Sequence, residues 1–494
     1  MTWIERGFAV WRNGLVTKEI SRRQFLKGAF MLGASILVSG CTGTAKNLTV
    51  ASKTADGNKK EETSSGNAEV LVIGAGIAGL AAARELRSAG YKVVILEGRD
   101  RIGGRLWTDR SCPDFPFDRG ASWIHGIRGN PIADMAKHWN IAGVPFDYDS
   151  KALYGSDGTL LSDEEIDRIY ERFDGLMTYL EDIREGLEED SRMSMKQAFD
   201  RWIDGVRLSE SERTGLDYAI NTEIEHEYAA DISELSLLNG DWGREREGGD
   251  TLITGGYGGI AAGLAEDLDI RLGHLVRRIE WDRNHVNVIT NRARFRADRV
   301  VVTLPLGVLK SGNVIFSPEL PETKRRAIRN IGMGVLNKLY LRFPEPFWDE
   351  NSSMLGYISQ IKGEWAEFVN LAKYTGQPAL VGFSAAANAR MMEKGSDERV
   401  VASAMDVLRT IYGEDIPDPT GWKITRWGTD PFAYGSYSFM APGASGKDIE
   451  ELARPVGGRL FFAGEATSGE YAATVHGAYF SGIREAKRIG KLER

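Results

Sequence analysis

The chain has 494 residues, 42% of them hydrophobic and 27% charged, as in an ordinary globular protein with room for two or three domains. Only two cysteines occur, Cys41 and Cys112, which excludes a disulfide scaffold and a cysteine-ligated zinc or iron–sulfur site. The net charge is −8, and residues 1–40 hold six cations against Glu5 and Glu19, so without them it is −12. Such a surface repels nucleic acid and concentrates cationic ligands.

Ser21-Arg22-Arg23-Gln24-Phe25-Leu26-Lys27 precedes an apolar stretch from Gly28 to Gly40. That stretch is too short to span a bilayer comfortably and sits where the apolar part of a signal belongs. The twin arginines resemble a twin-arginine export signal, and Val38-Ser39-Gly40-Cys41 resembles a lipobox, whose cysteine becomes a lipidated first residue. Residues 1–41 are therefore expected to send a folded protein to the periplasm or the outer face of the cell membrane. Membrane contact would come only through a lipid on Cys41. Residues 42–67, rich in Thr, Ser, Lys and Glu, read as a flexible linker.

Val70-Leu71-Val72-Ile73 is the short apolar run of a buried parallel strand. The loop Gly74-Ala75-Gly76-Ile77-Ala78-Gly79 follows, and Leu80 to Ala89 has helical apolar spacing ended by Gly90. Lys92 to Leu96 is a second strand. In this βαβ unit Gly74 permits the tight turn, Gly76 lets backbone approach a pyrophosphate, and Gly79 lets helix pack on strand. The phosphates would sit at the positive end of the helix, beside Ala78 and its neighbours. Glu97, at the end of the second strand, can accept hydrogen bonds from ribose hydroxyls. The unit binds a dinucleotide, either NAD or FAD.

Further on, residues 160–235 carry Glu, Asp, Arg and Leu at helical spacing. Strand-like runs return at Asp269–Leu272, Val286–Thr290, Arg299–Thr303 and the alternating Asn337–Phe343. Arg459-Leu460-Phe461-Phe462-Ala463-Gly464-Glu465 is a last strand running into a glycine turn.

Glu97-Gly98-Arg99-Asp100-Arg101-Ile102-Gly103-Gly104-Arg105 resembles the ExxxRxGGR extension of the flavin-containing amine oxidases, and this favours FAD. The resemblance covers residues 69–490. Asp118 to Gly126, including Ser122 and Trp123, is similar to the matching polyamine oxidase segment. Thr254-Gly255-Gly256-Tyr257 with Val276, the Thr303–Leu309 stretch, and Trp427 with Asp430-Pro431 and Gly435–Ser438 match other cofactor segments. Phe462–Thr467 and Ala473–Ala478 are especially similar to the lysine-specific histone demethylases. The resemblance implies an α/β fold: a discontinuous Rossmann-like FAD-binding domain (68–145, 246–330 and 431–494) plus an α+β substrate-binding domain (146–245 and 331–430). It also implies noncovalent FAD, because Ser436 stands where a flavin-linking cysteine would be. The expected cofactor contacts are Gly74, Gly76, Ala78, Gly79, Glu97, Arg99, Gly104, Arg105, Ser122, Trp123, Val276, Thr303, Trp427, Gly464, Glu465, Ala473, Thr474 and Val475.

Four residues are carried over for the chemistry. Lys338 matches the family lysine that holds a water at the flavin N5, and Tyr437 matches one aromatic wall of the amine cage. His125 matches a channel histidine, and Thr474 stands where a second cage tyrosine is usual, with Tyr471 or Phe432 as substitutes. Acidic residues at 223, 225, 227, 231 and 234 are candidates for a distal ammonium. The expected substrate is a small cationic amine of the polyamine kind, with O2 as electron acceptor. No arginine follows Gly120-Ala121, where amino acid oxidases bind a carboxylate. The alternatives are an amino acid oxidase or monooxygenase with another carboxylate site, an oxidase of another amine including protein-bound lysine, and an amine-binding protein with vestigial flavin.

Overall fold

Val70, Leu71 and Val72 are fully buried because the first strand, Ala68–Ile73, has neighbours on both edges and covers on both faces. The computed structural model describes residues 68–112, 116–240 and 246–492, so the export signal, Cys41 and the linker lie outside the described residues. Ala68–Ile73 pairs in parallel with Val93–Leu96 on one edge and with the end of Arg294–Val302 on the other. Ile270–Arg271 and Leu460–Phe462 extend this parallel core outward, and Val276–Trp281 with Val286–Thr290 continues it as an antiparallel meander. With Ile315–Ser317 parallel to Val276–Trp281 at the edge, the result is an eight-stranded sheet.

Helix Ile77–Ser88 covers one face with small residues, together with Val475–Lys491 and Gly258–Ala265. The fit is close: a Cβ on Gly482 would lie 2.1 Å from the Ala78 carbonyl oxygen. Glu322–Asn330 and Gly446–Ala453 contribute to the opposite core.

A second, six-stranded sheet runs Gly421–Ile424, Leu336–Arg342, Ala379–Ala385, Glu367–Asn370, Met354–Tyr357 and Lys151–Tyr154. The alternation in Leu336–Arg342 divides its faces. Leu339 and Leu341 enter the core roofed by helix Asp397–Tyr412, while Lys338 and Tyr340 point the other way, toward residues 118–122. A helical layer, Asp163–Glu185, Met195–Asp204 and Glu210–Ile220, packs around Leu153 and Ile358. Each of these three helices starts with a capping box, at Ser162, Ser194 and Ser209. None of the helices among the described residues is long and apolar enough to cross a membrane.

Glu210–Ile220 does not end cleanly. It widens into a π-helical turn at Asn221–Glu225, resumes for His226–Tyr228, and stops at Ala229 in the left-handed region with φ 53°. The Ala229 carbonyl accepts from Val335 N–H at 2.8 Å, which pins this helix end to the segment leading into Lys338.

Candidate functional site

The glycine loop shows which glycines the protein itself requires. Gly74 has φ +103°, and a Cβ on Gly79 would sit 2.0 Å from the Gly74 carbonyl oxygen, so both are demanded by local packing. Gly76 differs: its φ is −76°, and a Cβ there would meet no protein atom within 4 Å. Gly464 likewise has open space around it. Helix Ile77–Ser88 begins at Gly76 with no side-chain cap, which leaves first-turn N–H groups without a side-chain acceptor. Buried Arg101 Nη2 also has no partner, although the other edge of its guanidinium binds the carbonyls of Ile102 and Gly104. A pyrophosphate fits all three features.

Glu97, buried at the strand end, accepts Ala75 N–H at 2.7 Å through one oxygen and Arg99 N–H at 2.8 Å through the other. Its remaining lone pairs suit ribose hydroxyls. Thr303 donates to the Ile73 carbonyl at 2.8 Å and sets the floor under Gly74. Val276 is buried in the meander. Arg105 binds Glu465 at 2.9 Å and the Ser436 carbonyl at 2.7 Å, and the other Glu465 oxygen accepts from the Ser438 hydroxyl at 2.6 Å. Gly464 N–H donates to Ser481, and Ala473 takes φ 61° just before the last helix, which opens at Val475. Trp427 donates its indole N–H to the Arg119 carbonyl and is held by Asn337.

Three residues lie in settings that local sequence did not suggest. Arg99 forms a two-bond pair with Asp430, at 2.7 and 3.0 Å, and covers Phe432 at 4.8 Å, so its guanidinium braces one cofactor segment against another. Phe432 therefore lies against Arg99 and Gly98 and supplies no cage wall. Thr474 caps the last helix: its hydroxyl oxygen accepts Gly477 N–H at 3.0 Å and its proton goes to the Tyr471 carbonyl at 2.9 Å.

Lys338 is almost fully buried. Its three ammonium protons meet Ser122 Oγ at 2.5 Å and the carbonyls of Gly120 and Asp118 at 2.6 and 3.1 Å. Burial pushes this lysine down to about 8, with Asp118 opposing. Trp123 lies under it, 5.6 Å from the ammonium, and the Trp123 indole N–H is buried without a partner. Phe146 and Phe383 flank Trp123 at 5.5 and 6.1 Å between centroids.

Beyond this wall is an acidic, aromatic chamber. Tyr437 donates its hydroxyl to the His226 carbonyl at 2.8 Å, and burial with the Glu227 carboxylate pushes its phenol far up, so it stays protonated. Tyr148 and His125 both bind Asp250 Oδ2, at 3.0 and 2.7 Å. Burial works to raise Asp250, but the bonds from His125, Gly126 and Tyr148 outweigh it and hold the carboxyl low. The sequence candidates for ammonium binding now separate. Glu225 pairs with Lys362 at 2.7 Å, Glu234 and Asp231 face Arg390, and Glu223 accepts from Tyr170 at 3.1 Å. Glu227 pairs with no cation and accepts no hydrogen bond among the described residues. Burial raises it, His125 opposes, and the nearby Asp250 and Glu223 raise it further. Tyr148, Asp250 and Phe383 carry no local sequence signal; only these contacts bring them to the site.

The family model described as flavin containing amine oxidoreductase matches residues 77–490. The chain belongs to the flavin-containing amine oxidoreductases. Within that family it is 38% identical to "Polyamine oxidase 2" of Arabidopsis thaliana, over 86% of this chain and 89% of that one. It is also 38% identical to "Lysine-specific histone demethylase 1 homolog 1" of Oryza sativa subsp. japonica, over 86% of this chain, and spans about half (52%) of that relative's length. Wild-type putrescine oxidase bound to putrescine has the same fold, with a TM-score of 0.69 at 20% identity, covering 86% of this chain and 100% of the other. As a flavin-containing family member with these residues, the chain takes noncovalent FAD. The loop at Gly74–Gly79, Glu97, Arg101 and the Gly464 turn are the parts that would hold it.

Proposed function

We propose that this chain is an FAD-dependent amine oxidase acting on a polyamine of the spermidine or spermine kind. The observation that carries the choice of amine is Glu227, a carboxylate without a paired cation among the described residues, set beside Tyr437 and Asp250. A monoamine needs one cation site, whereas a polyamine needs a second, at a distance from the reacting nitrogen. Glu227 and Asp250 supply negative charge there, and the same field disfavours the carboxylate of an amino acid.

Bound FAD supplies a two-electron oxidation of the C–N bond; the imine is then hydrolysed and O2 ends as peroxide. The chain's residues orient and stabilise. Tyr437 offers its ring to the amine as one wall of the cage. Lys338 keeps a positive charge in a dry setting at the carbonyls of residues 118–120, where it favours developing negative charge. Its match to the family lysine supports that role. Arg105 and Glu465 hold the Ser436–Ser438 stretch, and with it Tyr437, against the cofactor segments. The Ser21–Lys27 and Val38–Cys41 patterns support an exported, lipid-tethered form.

Anaerobic bleaching of the flavin with a panel of polyamines, monoamines and L-amino acids tests the reading. Bleaching by a polyamine is expected, and Glu227→Gln should cut the preference for polyamine over monoamine by about tenfold or more, the worth of one charge-assisted hydrogen bond. Bleaching by an amino acid and by no polyamine would overturn the substrate, and bleaching by nothing would favour an amine-binding protein.

A further inference from the structure

The floor of the chamber holds a buried chain of charges that none of the cofactor contacts explains. His226 Nδ1 lies 3.2 Å from one oxygen of Glu367, and the other oxygen takes a proton of Lys151 at 2.5 Å. All three side chains are largely buried, with exposures of 10%, 8% and 17%. Burial works to raise Glu367, but Lys151 and His226 overcome it and hold the carboxyl near 2, so it is charged. Burial also works against the Lys151 ammonium, yet Glu367 more than compensates and lifts it well above the ordinary lysine value. The pair is therefore fully ionised and bears on one edge of an imidazole.

The other edge is free. His226 Nε2 is buried and has no hydrogen-bond partner among the described residues. With Glu367 accepting from Nδ1–H, the neutral ring presents Nε2 as a bare lone pair, a costly state for a buried polar atom. Its surroundings are those of the amine cage. The His226 carbonyl takes the Tyr437 hydroxyl, and its ring lies 6.2 Å from Phe383, which leans on Trp123 below Lys338.

The backbone is shaped to put it there. The π-helical turn at Asn221–Glu225 adds a residue to the turn just before His226, and the left-handed Ala229 ends the helix three residues later. A regular helix would rotate both His226 and Glu227 about the axis by roughly 100°. That would separate His226 from Glu367 and turn Glu227 from the chamber. An inserted turn of this type, anchored by Val335 N–H on the Ala229 carbonyl, is a device for aiming side chains.

We propose that His226, oriented by Glu367 and backed by Lys151, is the base that takes the proton from the substrate's ammonium group inside the closed site. This rests on the amine oxidase reading and deepens it. Polyamines arrive protonated, and only a neutral amine can be oxidised at the adjacent carbon. The step balances: the N–H proton of the ammonium moves to His226 Nε2, leaving neutral amine and an imidazolium hydrogen-bonded through Nδ1 to Glu367. The titratable group on the His226 ring is Glu367, which ties it to Lys151; Tyr218, Tyr170 and Glu223 face Lys151, and Tyr437 meets the His226 carbonyl.

Two variants, His226→Gln and Glu367→Gln, test this by stopped-flow reduction of the FAD-loaded protein, without oxygen, across pH 6–10 with spermidine as probe. In wild type the rate should fall on the acid side as His226 becomes protonated. His226→Gln leaves the amine's own ionisation to supply neutral substrate, so the acid limb should move to higher pH and reduction near neutral pH should slow by on the order of 10²-fold. Glu367→Gln keeps a hydrogen-bonding group but removes the charge that stabilises the imidazolium, so the acid limb should move to lower pH by about one to three units. A merely structural role would alter FAD loading or KM and leave the limb in place. An acid limb unchanged in either folded variant overturns the assignment. If His226→Gln does not fold, the position of the limb in Glu367→Gln decides alone. Absence of bleaching in wild type by any amine would instead defeat the amine oxidase reading, and is read before the variants are compared.

Discussion

Replacing Lys338 with methionine separates what this residue costs the fold from what it contributes to the chemistry. In the folded protein burial brings Lys338 from 10.5 down to about 8. At neutral pH it is therefore held charged at a cost of roughly 3 kcal/mol. Methionine has similar length and removes that cost, but it abandons the two carbonyls and the Ser122 hydroxyl now matched by the ammonium. Each buried acceptor left bare costs about 1–3 kcal/mol. Below pH 8 the relief offsets only part of that loss, and Lys338→Met should be less stable than wild type by about 0–6 kcal/mol. Because the unfolded lysine binds its proton more tightly than the folded one, wild-type stability rises as pH goes from about 8 to 10.5. The methionine variant lacks this gain, so the gap between the proteins should widen by roughly 3 kcal/mol over that window. Urea denaturation of both proteins at pH 7.5 and 10.5 reads this directly. Stopped-flow kinetics of the FAD-loaded variant should show flavin reduction or reoxidation slowed by about tenfold or more. Parallel stability curves would refute the buried, depressed ammonium, and unchanged rates in both half-reactions would refute the catalytic role.

Two further substitutions test the division of labour among neighbouring residues. Gly76→Ala should leave apoprotein stability within about 1 kcal/mol of wild type, since no protein atom opposes its Cβ, yet weaken FAD binding by about tenfold or more. Gly79→Ala, with a carbonyl oxygen 2.0 Å from its Cβ, should destabilise the apoprotein by about 1–3 kcal/mol, as seen by thermal melting without cofactor. Thr474→Ala should cost about 1 kcal/mol through loss of the helix cap while leaving the ranking of amine substrates as it was; a changed ranking in the bleaching panel would show that Thr474 reaches the cage.

The glycine loop and Glu97 were legible in the sequence because they are made within one βαβ unit of about 30 residues, where spacing alone sets geometry. The chemistry of Lys338 was visible only through resemblance: its three acceptors lie 216–220 residues earlier in the chain. Arg99 shows the limit from the other side. The resemblance placed it among the cofactor contacts, but Asp430, 331 residues away, holds its guanidinium. The same holds for Thr474, whose hydroxyl is engaged in its own helix start rather than in an aromatic cage. Among the acidic candidates no local signal could single out Glu227. That required knowing that Lys362 and Arg390 satisfy Glu225 and Glu234.

By itself, then, the sequence determined the cofactor. A phosphate cradle is backbone geometry, and backbone geometry over a short loop follows from which residues are glycine and where a strand meets a helix. Only the tertiary structure decided which charges are spent and which remain. A carboxylate or imidazole is free to act only if no distant cation or donor has folded onto it. That Glu227 and the Nε2 of His226 stay without partners among the described residues depends on how distant segments of the chain pair with their neighbours.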